Sequence, residues 1–391
     1  MILWILSACV LAAGAVVLAE VFTRVLLRRG DHYVVNRPHM KTVLELEPCV
    51  SAHLEPRVRI EMNSRGERGA EIEGDERDTL RVAVVGGSAA YCYMVDQPTS
   101  WPEKMASYLR EQGVERRLGK TRIHVGNISQ AELSSGGARS IVDRVLAKDA
   151  GLSAVVLMIG ISDMLRWLRL GAPERLPPQT AADVFAIHPE GPYSWRPSAT
   201  ALAEVARRVR DRLELRQNPV IHRENVGKGV MASRLKKQNA TTVITEVPDA
   251  VSMLADYRRN LSAIVESLLR RRLVVVVLGQ PHFDSAACSD VERSQFWNGG
   301  VGDPANGPIT TYYADSVLDE LSRRVNATTQ SVATELSVPY VDLDRMVPND
   351  LVHYYDQFHF TPAGADVVAR AAADELAEAL TDAKGRPDRH P

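Results

Sequence analysis

The sequence predicts a doubly wound α/β fold, a parallel sheet covered by helices on both faces, preceded by one transmembrane helix. Three observations carry this expectation. Short Val- and Ile-rich runs that are apolar on both faces recur at residues 80–85, 122–125, 154–159, 273–278 and 338–341, as strands buried on both sides require. Segments of helical spacing separate them, at 102–111, 140–148, 201–213, 254–271, 312–336 and 363–380, and strand–helix–strand repetition builds a parallel sheet. Finally, residues 1–19 carry no charged side chain.

That apolar start reads as an anchor over residues 1–29. Glu20 and Arg24 follow the uncharged stretch, and Val25-Leu26-Leu27 precedes Arg28-Arg29. A helix through Leu27 exceeds a bilayer core of ~30 Å at ~1.5 Å per residue. A cleaved signal peptide is the alternative, but the segment lacks a positive n-region and a clear A-x-A site before a polar mature start. Leu6-Ser7-Ala8-Cys9 resembles a lipoprotein box with almost nothing in front of it. The basic residues after the span place the C-terminal part in the cytoplasm by the positive-inside rule.

Residues 30–78 are polar and contain prolines, and read as a stalk and lead-in. The doubly wound α/β domain is expected over 79–381, with an insertion at about 170–251 and a polar tail at 382–391. Residues 279–308 form a long loop after a strand, and long loops there are more often functional than idle.

The whole chain has 391 residues, 45% hydrophobic and 25% charged, ordinary for a globular protein with one large core. Its net charge of -2 gives no reason to expect a nucleic-acid partner. The Arg-rich stretch 207–216 alternates with acids and fits a solvated helix face. Four cysteines without CxxC spacing exclude a disulfide scaffold. One bridge among Cys49, Cys92 and Cys288 stays open. The ten histidines form no HxxxH or HxH pair, so neither a metal site nor a cofactor is read.

Two motifs carry the chemistry. Val84-Val85-Gly86-Gly87-Ser88 is a strand running into a glycine turn and a hydroxyl, where a doubly wound sheet opens its ligand crevice. It lacks GxGxxG and GxxxxGK[ST], which disfavours a nucleotide site. Asp356-Gln357-Phe358-His359 puts a carboxylate three residues before an imidazole, so Asp356 can hold Nδ1 and leave Nε2 for Ser88. An Asp/His helix-capping turn is the plain alternative for the second motif.

From about Asn63 to about Asp374 the chain resembles the SGNH/GDSL hydrolase family. Gly86-Gly87-Ser88 matches the G-G-S form of its nucleophile block, and Asp356 and His359 match its D-x-x-H block. The resemblance implies a three-layer α/β/α fold and ester hydrolysis through an acyl-enzyme, with Ser88, Asp356 and His359 catalytic. Two blocks depart from the pattern. Ile159-Gly160-Ile161-Ser162-Asp163 has Ser162 where the family has an oxyanion-binding Asn, and Glu132 stands at the position of the second block's glycine. The Glu132 backbone N–H can still donate to an oxyanion if its side chain points away.

The leading expectation is a membrane-anchored serine esterase, acting on an acyl ester such as a small O-acyl group on a carbohydrate. Anchored relatives often act on glycans outside the cytoplasm, which opposes the charge rule and leaves the membrane side open. An O-acyltransferase using the same triad and a degenerate glycan-binding or assembly protein are the alternatives. Trp297, with Tyr193 and Trp195, is a candidate for lining a sugar or acyl pocket.

Overall fold

The computed structural model describes residues 2–29, 32–189, 200–217 and 222–385. Ten strands occur among them: β1 (Lys41–Glu45), β2 (Arg57–Glu61), β3 (Thr79–Gly86), β4 (Arg122–Asn127), β5 (Ala154–Met158), β6 (His222–Asn225), β7 (Thr242–Ile244), β8 (Val274–Gly279), β9 (Thr311–Tyr313) and β10 (Tyr340–Asp342). Five build the central sheet in the order β10-β8-β5-β3-β4, with every neighbouring pair parallel. The first strand of this sheet in sequence, β3, lies between the second and the third. That reversal is the topological switch point at which open α/β sheets bind ligands.

Strand alternation sorts the core into two layers. Ala83, Val85, Val155, Leu157, Val275 and Val277 face helices Ser135–Arg144, Val251–Arg270 and Asp315–Glu335. Leu80, Val82, Val84, Val156, Val276 and Leu278 face helices Trp101–Glu111 and Pro362–Gly385. Period-two side-chain placement makes a run that is apolar at every position a strand covered twice. Each fully buried Val or Leu stabilises the fold by about 1.5–3 kcal/mol relative to exposure. The three-layer α/β/α architecture is the one expected.

Several elements differ from the sequence expectation. Tyr312 and Tyr313, expected inside a helix, belong to β9, which pairs with β7. The helix there starts at Asp315, because two tyrosines on a pleated edge pack better than in a first helical turn. The helix expected at 140–148 begins at Ser135, where Ser134 caps it by accepting from the Gly137 N–H at 3.3 Å. Ile161–Arg169 is an additional helix that buries Ile161, Met164, Trp167 and Leu168.

Residues 41–61, within the stretch expected as stalk and lead-in, fold against the domain. There β1 pairs with β2 and with β6 in a second sheet. Leu44, Val50, Val58 and Ile60 pack in a third core with Met94, Val230 and Tyr355. The strict alternation in β2, where Val58 and Ile60 are buried and Arg57 and Arg59 exposed, is what orders this segment.

The N-terminal helix runs Ile2–Arg29. Its stretch Trp4–Leu27 has a mean hydropathy of 2.3 and is long and apolar enough to cross a membrane, and residues 4–19 of it are exposed. Trp4, Leu11, Leu18 and Phe22 are among its exposed apolar side chains. It meets the folded domain at Glu20, whose carboxylate accepts from the N–H groups of Ala201 (2.8 Å) and Leu202 (3.0 Å). Those are orphan donors at the start of helix Ala201–Gln217, and Arg24 pairs with the same carboxylate at 2.6 Å.

Candidate active site

Ser88 begins a four-residue helix directly after β3. Both glycines before it answer to close approach. A Cβ on Gly87 would lie 2.5 Å from the Ser162 hydroxyl oxygen, and one on Gly86 would run into the Met158 carbonyl across the sheet. The Ser88 turn is therefore brought against the end of β5, at the switch point. Arg68, almost fully buried, holds the far side of the turn by donating to the carbonyls of Tyr91, Cys92 (2.8 Å) and Val95 (2.7 Å).

Asp356 and His359 lie before helix Pro362–Gly385. Asp356 is fully buried, and both its oxygens are occupied. Oδ1 accepts from the N–H groups of Phe358 (2.7 Å) and His359 (2.8 Å), and Oδ2 faces His359 Nδ1 at 2.7 Å. The capping turn and the carboxylate–imidazole pair are thus one arrangement. An ionised carboxylate only accepts, so Nδ1 carries the proton and Nε2 is an acceptor. His359 Nε2 lies 2.7 Å from Ser88 Oγ. Tyr355 stacks on the imidazole, with centroids 5.5 Å apart and planes within 8°.

Three hydrogen-bond donors gather around the Ser88 hydroxyl. The backbone N–H groups of Ser88 and Glu132 and the hydroxyl of Ser162 donate to no acceptor among the described residues, and all three residues line one cavity with His359. Glu132 has a φ of 60°, the left-handed region where an L side chain costs about 1 kcal/mol and glycine costs nothing. Its carboxylate is drawn away by Arg169, which grips it with two bonds of 2.8 and 2.9 Å. Gln179 holds its carbonyl at 3.2 Å.

The cavity has a volume of about 800 Å³. Helix Val226–Gln238, from the inserted stretch, supplies one wall through Val226, Gly229, Val230, Ser233 and Lys236, a spacing that marks one helical face. Trp297 lines the cavity too, stacked on Tyr355 with centroids 6.1 Å apart. Tyr193 and Trp195 lie outside the described residues.

Residues without a sequence motif hold this site together. Arg234 is buried and donates to the carbonyls of Gln295 (3.2 Å), Cys49 (3.0 Å), Val50 (2.7 Å) and Tyr355 (3.3 Å), so the insertion helix is bolted to the loop carrying Asp356. Its only sequence signal is a basic residue on the face shared with Val230. Cys49, Cys92 and Cys288 are free thiols, and burial pushes the Cys92 thiol up to about 11.

Asp163 joins the Ser162 segment to the Glu132 segment. Its carboxylate accepts from the Ser135 N–H (2.8 Å) and hydroxyl (2.6 Å). Burial pushes its carboxyl up to about 6, against the lowering effect of these bonds. A raised carboxyl favours the fold most at low pH, and that contribution is lost as pH rises through about 6. Asp163→Asn lacks this slope. Its stability relative to the parent is expected to rise between pH ~4 and ~8 by up to about 3 kcal/mol, read from thermal or urea unfolding across that range.

The family profile described as GDSL-like Lipase/Acylhydrolase matches residues 84–367. No curated protein sequence matches the chain. Among solved structures, a psychrotrophic esterase from Pseudoalteromonas sp. is 11% identical, covering 77% of this chain and 98% of its own, with a TM-score of 0.37. A carbohydrate acetylesterase from Sinorhizobium meliloti is 11% identical over 76% of this chain and 99% of its own, TM-score 0.39. An aryl esterase from M. smegmatis is 12% identical over 76% and 99%, TM-score 0.40.

Proposed function

The chain belongs to the GDSL-like lipase/acylhydrolase family, and from that premise we propose that it is a membrane-anchored serine esterase using Ser88, His359 and Asp356. The observation that carries the reading is the continuous 2.7 Å chain from Ser88 Oγ through the imidazole to Asp356, with unpartnered donors beside it. A non-catalytic binder needs neither.

In this mechanism Ser88 Oγ attacks the ester carbonyl carbon while Nε2 takes its proton, and Asp356 stabilises the imidazolium. The carbonyl oxygen becomes an oxyanion and receives the Ser88 and Glu132 N–H groups and the Ser162 hydroxyl. The imidazolium then gives its proton to the leaving alcohol. Water, activated by the same imidazole, releases the acid from the acyl-serine.

The cavity supports an acylated carbohydrate as substrate. It offers sugar hydroxyls the polar groups of Ser162, Ser233 and Asn298 beside the rings of Trp297 and Tyr355. Ser162→Ala removes one oxyanion donor and is expected to lower kcat about a hundredfold with little change in KM, as read on p-nitrophenyl acetate.

The test of the reading is covalent. Full-length protein in detergent micelles, treated with a fluorophosphonate, gains the phosphonyl mass on the peptide containing Ser88 and loses p-nitrophenyl acetate hydrolysis in step. Folded protein that hydrolyses the ester while its Ser88 peptide stays unlabelled sinks it.

Helix Ile2–Arg29 serves as an uncleaved single-pass anchor in this reading, because residues 4–19 are exposed on every side of the helix. The protein is expected to stay in the membrane pellet through alkaline carbonate extraction, with Met1 to Arg29 present by mass spectrometry. Release into the supernatant or a mature start beyond residue 29 refutes the anchor.

A further inference from the structure

We infer that Tyr355 is a positioning residue of the reaction, the ring that keeps the His359 imidazole aimed while Ser88 is acylated. The inference rests on the esterase reading and deepens it, because it separates the two halves of the reaction. In the free site the imidazole is held at both nitrogens, Nδ1 by Asp356 and Nε2 by Ser88, at 2.7 Å each. Acylation turns Ser88 Oγ into an ester oxygen, which has no proton left to donate to Nε2. The remaining bond at Nδ1 fixes one atom of the ring and leaves its plane free to swing about that bond.

The stack supplies the missing restraint. Tyr355 lies parallel to the imidazole within 8°, with centroids 5.5 Å apart, inside the ~4.5–7 Å range of offset-stacked rings. Tyr355 is itself fixed on several sides. It is only 2% exposed, and its hydroxyl accepts the Met94 N–H. Its own N–H donates to the His359 carbonyl at 3.1 Å, and its carbonyl accepts from Arg234 at 3.3 Å. Trp297 stacks on it in turn, and the Arg234 guanidinium lies 5.4 Å from the Trp297 ring centroid. A ring so held cannot change plane without disturbing the third core that it belongs to, so it is a rigid surface for the imidazole to rest against.

The second half of the reaction asks most of this surface. Nε2 takes a proton from water as the water oxygen bonds to the acyl carbon. The Oγ–carbon bond then breaks, the acid leaves, and Nε2 returns the proton to Ser88 Oγ. Both transfers depend on where Nε2 points, and a misplacement of ~1 Å can cost about a hundredfold in rate.

The test compares full-length parent, Tyr355→Phe and Tyr355→Leu on p-nitrophenyl acetate in neutral detergent micelles. Both variants lose the hydroxyl that receives the Met94 N–H, and both are expected to melt below the parent. Only the leucine variant loses the ring. Tyr355→Phe is expected to keep kcat within about threefold. Tyr355→Leu is expected to lower kcat about thirtyfold and kcat/KM by less than about threefold. Its acyl-enzyme then accumulates, giving a burst that approaches one p-nitrophenolate per active site. If the leucine variant does not fold, Tyr355→Met, unbranched and without a ring, carries the same comparison.

A purely structural role makes kcat follow melting temperature, so equal losses in the phenylalanine and leucine variants overturn the proposal. So does a leucine variant whose kcat and kcat/KM fall together without a burst. A parent that neither hydrolyses the ester nor takes up fluorophosphonate at Ser88 sinks the esterase reading and this inference with it. An active parent beside a leucine variant of equal kcat sinks this inference alone.

Discussion

Ser88→Ala is expected to lower kcat for p-nitrophenyl acetate by about 10⁴-fold or more, leaving the fold intact. The hydroxyl makes one side-chain hydrogen bond, to His359, so its loss removes the acyl-enzyme route without disturbing packing. The residual rate belongs to water attacking a carbonyl still held by the oxyanion donors. A purified variant that turns over the ester as fast as the parent assigns the activity to another residue or to a contaminant. Titration of the folded variant with ester-containing substrates separates binding from chemistry, since KM-type affinity has no need of the hydroxyl.

Asp356→Asn is expected to lower kcat by a comparable factor, about 10⁴-fold, through the imidazole tautomer. The asparagine oxygen can still accept the N–H groups of Phe358 and His359 that Oδ1 accepts now. Its amide then faces Nδ1 as a donor, which makes Nδ1 the acceptor and turns Nε2–H toward Ser88. The serine proton has nowhere to go. A kcat loss with KM within about twofold identifies the tautomer effect, because a collapsed loop raises KM as well. Loss of activity below about tenfold refutes the role given to Asp356.

The legible part of this protein was the part whose physics is local in sequence. Strands buried on both faces announce themselves as continuous apolar runs, so β3, β5 and β8 were readable from composition alone. The Asp356-His359 pair sits within one turn, and Ser88 follows its own strand. Arg234 could not be read this way, because its four carbonyl acceptors come from three separated stretches of chain, Cys49 and Val50, Gln295, and Tyr355. The wall formed by helix Val226–Gln238 was masked by its polar, basic composition, although Val226, Val230 and Ser233 keep helical spacing. The alternation in Arg57–Glu61 was a signal for β2, but a strand of five residues in a polar stretch becomes convincing only when a partner such as β1 is in view.

The Glu132–Arg169 pair also makes the two positions interdependent. Glycine at 132 suits the left-handed backbone with or without an arginine at 169, whereas glutamate there without Arg169 loses both bonds that hold its carboxylate. The cost of losing Arg169 is therefore set by residue 132: it is expected to be larger in the parent than in Glu132→Gly, a non-additivity that a double-mutant cycle reads.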